Sequence, residues 1–299
     1  MIDILLATYN GEKYIKSQIY SLLSQTYQDW RLLVHDDGST DNTVGIIKGF
    51  QEVDQRIFLI EDGIQFGNAG LNFFHLMKFS DAKFLIFCDQ DDIWLESKIE
   101  LLMHVIENKD NSIPQMVFSG GYLYSSQKDI FQDFIETEKP KNIKEQLFLN
   151  AGLQGCSIIF NNKLNEMAKS FQGTLSMHDH LVTMIGITFG QISYLDRKLM
   201  LYRQNHVNKT TADISKKTIF QKIFVDNFPV IEEKHFTTNK DFYYTFENIM
   251  KAGNKELFNE YFKYKESKSK IKRLLIVFKN NFSLGGDFLK LSFKTIFRK

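Results

Sequence analysis

Three carboxylates, Asp89, Asp91 and Asp92, follow directly on the apolar run Phe84-Leu85-Ile86-Phe87-Cys88. Such a run reads as a buried strand, which would hold the carboxylates at its end. There, oxygen ligands suit a hard divalent cation, Mg2+ or Mn2+, shared with substrate phosphates; the alternative is a solvated turn or a helix cap. A second acidic stretch, Asp36-Asp37-Gly38-Ser39-Thr40-Asp41, follows the apolar run Leu32 to His35. Ser39 or Thr40 can cap a following helix and Gly38 can take a turn conformation. Capping does not call for Asp36 and Asp37, and a carboxylate at that place can accept from a base N–H or from ribose hydroxyls. Tyr9, at another strand end, can stack on a base or pack within its loop. In Met177-His178-Asp179-His180, Asp179 offers three chemistries: a general base, a helix cap, or a metal site with His178 and His180. The last lacks the usual His-x3-His or Cys partners of zinc.

The elements that must position these groups are legible in the first hundred residues. Ile2 to Ala7, Leu32 to His35, Ile57 to Ile60 and Phe84 to Cys88 are short apolar runs closed by polar or Gly-rich residues, as buried strands are. Between them Tyr14, Ile15, Ile19, Leu22 and Leu23 share a helical face; Val44, Ile46 and Ile47 begin a second and Phe73, Phe74 and Met77 a third. Strand and helix alternating at this pitch predict an α/β fold with a mostly parallel sheet covered on both faces. Ligands then bind outside the carboxyl ends of the strands, so the loops at Thr8-Tyr9-Asn10, Asp36 to Asp41 and Asp89 to Asp92 gather at one edge. Farther on, Met116 to Ser119, Ser157 to Phe160 and Ile192 to Leu195 read as strands and Leu164 to Phe171 as a helix. After about Thr211 the rhythm gives way to helices with Lys-rich surfaces.

A chain of 299 residues can bury a full core in one large or two modest domains, which excludes a small disulfide scaffold. Lys+Arg against Asp+Glu is 37 against 36, so no global polyanion binding is expected and nucleic acid is not an anticipated partner. Cys88 and Cys156 are the only cysteines, too few for a secreted framework or a four-cysteine zinc site, in keeping with a reducing cytoplasm. The chain opens Met1-Ile2-Asp3 with no basic n-region, and no apolar run approaches the roughly 20 residues that span a bilayer, so a soluble protein is expected. Charge is nevertheless uneven: from Tyr261 onward eleven Lys/Arg face only Glu266 and Asp287, a net of +9. In that tail Ile271, Leu274, Leu275 and Phe278, and again Leu289, Phe293, Ile296 and Phe297, recur at helical spacing beside basic residues. Two basic amphipathic helices can lie on an anionic membrane surface or cap the catalytic body.

Ala7-Thr8-Tyr9-Asn10-Gly11-Glu12, Ser24 to Trp30, Asp36 to Asp41, Gly67-Asn68-Ala69-Gly70 and Asp89 to Asp92 stand in the order and spacing of family 2 glycosyltransferases. The resemblance covers about residues 1 to 210 and implies the GT-A fold. The Cys88-Asp89-Gln90-Asp91-Asp92-Ile93-Trp94 stretch is similar to bacterial rhamnosyltransferases of surface polysaccharide assembly. It implies that Tyr9 and Asp37 hold the pyrimidine of a nucleotide-sugar, that Thr8 and Asn10 shape its pocket, and that Asp89 lies near the ribose or sugar. Glu12, Asn68, Gln90 and Arg203 join the donor side, with Arg203 facing the diphosphate. Asp91 would be the main metal ligand, with Asp89 as a further ligand and Asp92 in support. Gly152 to Ser157 and Met177 to His180 resemble the acceptor-side half, which places Asp92, Trp94, Gly155, Cys156 and His178 there and makes Asp179 the general base. Tyr202-Arg203-Gln204 resembles a late motif whose His follows the Gln directly. Here Asn205 intervenes, which sets His206 one place late for a metal or phosphate role.

The expectation is a catalytic domain over 1–215 and a helical, basic extension over 216–299. The activity expected is that of an inverting glycosyltransferase dependent on Mn2+ or Mg2+, taking a dTDP- or UDP-linked sugar, L-rhamnose by motif flavour. The acceptor would be a saccharide or lipid-linked saccharide, and the site of action cytoplasmic or peripheral on the inner face of the plasma membrane. Self-association into a homo-oligomer is left open. Rival readings are a UDP-hexose or UDP-N-acetylhexosamine transferase of the same family, a nucleotide-binding scaffold without turnover, and a dinucleotide oxidoreductase. The last is disfavoured because no Gly-x-Gly-x-x-Gly follows the first strand.

Overall fold

The computed structural model describes residues 1–125, 130–134, 139–203 and 229–298. Four parallel strands, β1 (Ile2–Thr8), β2 (Trp30–Asp36), β3 (Ile57–Ile60) and β4 (Phe84–Asp89), lie in the order β3-β2-β1-β4. Helices α1 (Glu12–Leu23), α2 (Thr43–Val53) and α3 (Ala69–Met77) connect them. The period of two along each strand divides the side chains between two cores. Ile4, Leu6, Leu32, Val34, Ile86 and Cys88 enter one, against Ile15, Ile19 and Leu22 of α1. Leu5, Leu33, Leu85 and Phe87 enter the other, against Phe73, Leu76 and Met77 of α3. Both faces are therefore apolar, as a covered parallel sheet requires.

Beyond β4 the sheet becomes mixed. Next come β8 (Ile158–Asn161), antiparallel to β4, then β6 (Gln115–Ser125), β9 (Gln191–Arg203) and the two-residue β5 (Ile93–Trp94), with β7 (Ile130–Phe134) paired to β6 beside this path. The parallel β6 and β9 are 11 and 13 residues long, well beyond the apolar cores at Met116 and Ile192. Register shifts at Ser119/Gly120 and Gly120/Tyr122 break the alternation there, so the polar residues that carry the strands onward gave no periodic signal. Helices α4 (Lys98–Glu107), α5 (Ile143–Gln146), α6 (Asn162–Lys169) and α7 (His178–Phe189) complete the body. The expected helix from Leu164 starts two residues earlier, where Asn161 caps it by accepting from the Leu164 N–H at 3.1 Å.

The C-terminal region is helical: α8 (Glu233–Phe246), α9 (Ala252–Glu266), α10 (Lys270–Asn280) and α11 (Phe288–Phe297). The assumed boundary at 215/216 lies outside the described residues. The helices share the catalytic core: Phe242, Phe258, Tyr261, Tyr264, Val277, Phe282 and Leu291 belong to the same apolar cluster as Phe87, Leu181 and Ile185. Phe148 is the anchor, its ring centroid 5.4, 4.9 and 5.1 Å from those of Tyr261, Tyr264 and Phe282. The opposite faces of α10 and α11 stay in solvent, with Ile271, Leu275, Phe278, Leu289, Phe293, Ile296 and Phe297 all exposed.

Candidate active site

The loops after β1, β2 and β4 are tied together by side-chain to backbone bonds. Thr8 donates to Asp36 at 2.7 Å, and Asp36 also accepts from the Gly38 and Ser39 N–H groups and the Ser39 hydroxyl, closing the β2 loop on itself. Gly38 sits at φ +85°, a conformation that a side chain resists. Asn10, itself left-handed at φ 47°, donates its N–H to Ser39 and accepts from the Thr40 N–H, each at 2.8 Å. Asp41 accepts from the Glu12 N–H, and Glu12 returns the bond by accepting from the Asn42 N–H, both at 3.0 Å. Thr43, fully buried, accepts from the Gly11 N–H at 2.8 Å. The result is one rigid rim on which the Tyr9 side chain, 55% exposed, stands clear.

Asp37 is buried and accepts from two backbone groups of the loop before α3, the N–H of Phe66 and, at 3.1 Å, that of Asn68. Asn68 in turn caps α3 by accepting from the Leu71 N–H at 3.1 Å. Gln25, from the Ser24 to Trp30 stretch, donates to the Leu95 carbonyl at 2.9 Å and accepts from the Ile99 N–H at 3.0 Å, binding the end of α1 to the start of α4.

The acidic cluster lies at the end of β4. Ligand atoms of Asp89, Asp92 and Cys156 all lie within 4.8 Å of one another. Burial, then the neighbouring Asp91, raises the Asp89 carboxyl to about 6. Burial, then Asp89 and Asp91, pushes Asp92 well above the carboxylate range. Beneath them the fully buried Lys98 donates to the Cys156 carbonyl at 2.6 Å, lies 3.9 Å from the centre of the Trp94 ring, and is drawn down by burial. Arg203 reaches back from β9: its Nε donates to the Asp91 carbonyl at 2.8 Å, its N–H donates to Asp92 at 3.3 Å, and its guanidinium stacks between Tyr14 and Tyr124. Asp92 Oδ2 is buried without a hydrogen-bond partner among the described residues. An orphaned carboxylate oxygen on Asp92, beside Asp89, in a pair whose ionisation burial penalises, suits a bound divalent cation.

Asp179 enters from the other side, in the first turn of α7. Burial raises it to about 7, and Asp89 adds to the rise against opposing backbone hydrogen bonds. Its Oδ1 has no partner among the described residues. Met177, not Asp179, holds the N-cap position, and its side chain makes no capping bond; Asp179 accepts from backbone N–H groups of the first turn. His178 stacks against Phe73 and Phe87, with ring centroids 4.1 and 4.5 Å away, and burial lowers it to about 3, so it is a neutral part of an aromatic wall. His180 turns the other way, to Asn239 of α8 at 2.8 Å, so the two histidines do not form a metal site with Asp179. A Cβ on Gly152 would strike the Asp179 backbone; glycine there is what lets the 151–156 loop close on α7.

Residues 3–166 match the model of Glycosyl transferase family 2. The dTDP-rhamnosyl transferase RfbG of Shigella flexneri is 31% identical over 235 residues, 73% of this chain and 78% of the relative. The chain belongs to glycosyltransferase family 2. A UDP-Glc:alpha-D-GlcNAc-diphosphoundecaprenol beta-1,3-glucosyltransferase of Escherichia coli is 32% identical over 164 residues, 55% of this chain and 61% of that one. Residues 1–349 of S. aureus TarS, solved in complex with UDP, superpose with a TM-score of 0.56 at 16% identity, covering 86% of this chain and 69% of that one. The fold is that of GT-A glycosyltransferases, a mixed sheet flanked by helices with a helical C-terminal region.

Within this glycosyltransferase the anticipated site residues fall into three groups. Tyr9, Gln90, Asp89, Asp91 and Asp179 gather around the strand ends. Thr8, Asn10, Glu12, Asp37 and Asn68 are the fastenings that shape the rim, each committed to the bonds described. Asp92, Trp94, Gly155, Cys156 and His178, expected on the acceptor side, are buried: Lys98 packs on Cys156 and Trp94, and Phe73 and Phe87 pack on His178. His206 lies outside the described residues. Lys98 escaped notice; its signal was a charge falling at i and i+4 with Leu102 on the apolar face of α4, a place that calls for a buried partner.

Proposed function

We propose that the chain is an inverting, metal-dependent glycosyltransferase that moves a sugar from a nucleoside-diphosphate donor to a saccharide or lipid-linked saccharide, in assembly of a bacterial surface polysaccharide. The observation that carries this reading is Asp179: a carboxyl raised to about 7, with an unpartnered oxygen, beside the acidic strand end. A base matched to neutral pH is what removal of a hydroxyl proton demands. Asp179 takes the proton as the acceptor oxygen attacks the anomeric carbon. The bond from that carbon to the donor diphosphate breaks, and its electron pair leaves with the diphosphate. One displacement inverts the configuration. Asp91, with Asp89, would hold Mn2+ or Mg2+, which when bound supplies positive charge for the departing diphosphate. Tyr9 offers its exposed ring to the base, and Asp37 holds the loop that faces it.

The likeness to a dTDP-rhamnosyl transferase supports dTDP-L-rhamnose as donor. The likeness to an enzyme named for UDP-Glc and a diphosphoundecaprenol acceptor supports a second reading, a UDP-hexose or UDP-N-acetylhexosamine donor. Among the described residues no helix is long and apolar enough to cross a membrane. Placement on the inner face of the plasma membrane is supported by the exposed apolar residues of α10 and α11, from Ile271 to Phe297, amid the +9 tail. The test is turnover of dTDP-L-rhamnose, UDP-glucose and UDP-N-acetylglucosamine with Mn2+ or Mg2+ and lipid-linked saccharide acceptors, with the product anomer read by NMR. Retained configuration would overturn the single displacement. Absence of transfer and of donor hydrolysis with all three would favour the scaffold.

A further inference from the structure

Away from the acidic strand end, His35 of β2, Asp62 and His75 of α3 converge, their ligand atoms all within 4.8 Å of one another. His35 Nε2 is 3.2 Å from Asp62 Oδ1, and His75 Nε2 is 2.6 Å from Asp62 Oδ2. The tautomer of His35 follows from its neighbour. Asn72 donates through Nδ2 to the His35 carbonyl at 3.2 Å, so its Oδ1, 2.7 Å from His35 Nδ1, must be the acceptor. Nδ1 therefore carries a hydrogen, which leaves Nε2 as the atom that faces the Asp62 carboxylate. A carboxylate flanked by two imidazole nitrogens is a ligand set that either a proton or a metal cation can bridge.

We propose that His35, Asp62 and His75 form a binding site for a borderline divalent transition metal of the Zn2+ class, separate from the Asp89 to Asp92 cluster. Two imidazoles and one carboxylate suit that class better than Mg2+, which prefers oxygen. Tetrahedral Zn2+ with bonds near 2.0–2.1 Å sets its ligands about 3.3 Å apart. The His35 to Asp62 spacing already fits, and the His75 side opens from its hydrogen-bonded distance. The burial is graded: side chains are 2% exposed at His35, 11% at His75 and 25% at Asp62, so solvent reaches the cluster from the Asp62 side. Asn72 is the outer partner that fixes the ligand tautomer. The metal would join β2, the 61–68 loop and α3. That loop also carries Phe66 and Asn68, whose N–H groups Asp37 holds, so the ion would stiffen one wall of the nucleotide side from behind.

The experiment uses the full chain carrying Asp89→Asn and Asp91→Asn, stripped of metal and without donor, so that the acidic strand end contributes little. Co2+ is titrated in and its visible d–d absorption followed, then Zn2+ is added in competition. One equivalent of Co2+ should give the intense band of a four- or five-coordinate site, displaced by Zn2+, and Zn2+ should raise the melting temperature. Adding Asp62→Asn, at the most exposed of the three positions, or His75→Ala should remove the band and the thermal shift while circular dichroism remains that of the folded chain. Asn72→Ala should weaken binding about 10- to 100-fold. Absence of Co2+ binding, or binding unchanged by Asp62→Asn and His75→Ala, would overturn the proposal and leave the three side chains as a hydrogen-bonded cluster.

Discussion

Gln90 holds both backbone polar groups of Tyr9: its Oε1 accepts from the Tyr9 N–H at 3.0 Å and its Nε2 donates to the Tyr9 carbonyl at 2.9 Å. The end of β4 thereby sets the position of the residue at the end of β1, and the ring that stands out toward the nucleotide side is carried on a fixed backbone. Gly11 belongs to the same arrangement, since a Cβ there would meet the Gln90 amide.

Gln90→Leu is accordingly expected to loosen Tyr9 without unfolding the chain. Two hydrogen bonds near the surface are worth about 1–3 kcal/mol, so the donor KM should rise roughly 10-fold, with kcat changed less. Steady-state kinetics with varied donor checks this. An unchanged KM would mean that Tyr9 does not meet the nucleotide.

Asp179→Asn should cut transfer by about 100- to 10,000-fold while donor affinity survives. In the wild type, kcat/KM should climb about tenfold per pH unit on the acid side and level off above about 7, where the carboxyl is ionised. Stability carries the opposite sign. The folded chain keeps this proton up to about pH 7, against 3.8 for an ordinary Asp, so ionisation erodes stability as pH rises through that window. Asp179→Asn, neutral throughout, should melt higher than the wild type at pH 8 and show no such gain at pH 4.

Removal of divalent cations with excess EDTA should abolish turnover, and Mn2+ or Mg2+ should restore it. Asp91→Asn should lose metal-dependent donor binding yet keep the wild-type melting temperature within a few degrees, because this half-buried carboxylate at a strand end is not part of the apolar core. Full activity in EDTA would exclude the metal reading.

Lys98→Met leaves the Cys156 carbonyl without its donor and removes a buried basic group whose charge opposes the rise of Asp89 and Asp92. A loss of about 1–3 kcal/mol in urea denaturation is expected, with weaker metal-dependent donor binding because Asp92 is driven further toward its neutral form.

Leu275→Asp combined with Leu289→Asp alters only exposed positions on α10 and α11 and should abolish co-sedimentation with anionic liposomes at low salt, with stability within about 0.5 kcal/mol of wild type. Truncation before Lys268 is a different experiment: it removes Val277, Phe282, Leu284 and Leu291 from the shared core and should lower the melting temperature sharply. Liposome binding that persists in the double variant would refute the membrane reading.

The amino-acid sequence by itself determined the four parallel strands and the three helices between them, because the buried faces of β1, β2 and β4 are continuous in the chain and their periodicity is local. It also marked the acidic strand end, three carboxylates directly after an apolar run, while Asp179 was marked by the resemblance of Met177 to His180 to the acceptor-side motif of the family. Tertiary structure alone decided what depends on partners distant in sequence. Asn10 and Glu12 became fastenings through bonds to a loop some thirty residues away. The tyrosines of α9 became core because Phe148 meets them. The tail helices were expected to turn one apolar line either to lipid or to the body, and they divide: Val277 and Leu291 enter the core while Leu275 and Leu289 stay outside. Helical spacing can say which residues share a face, but only the packed neighbour says which face is covered. The raised Asp89 and Asp179 carboxyls have the same origin, since desolvation and mutual repulsion belong to the assembled strand ends and to no residue taken singly.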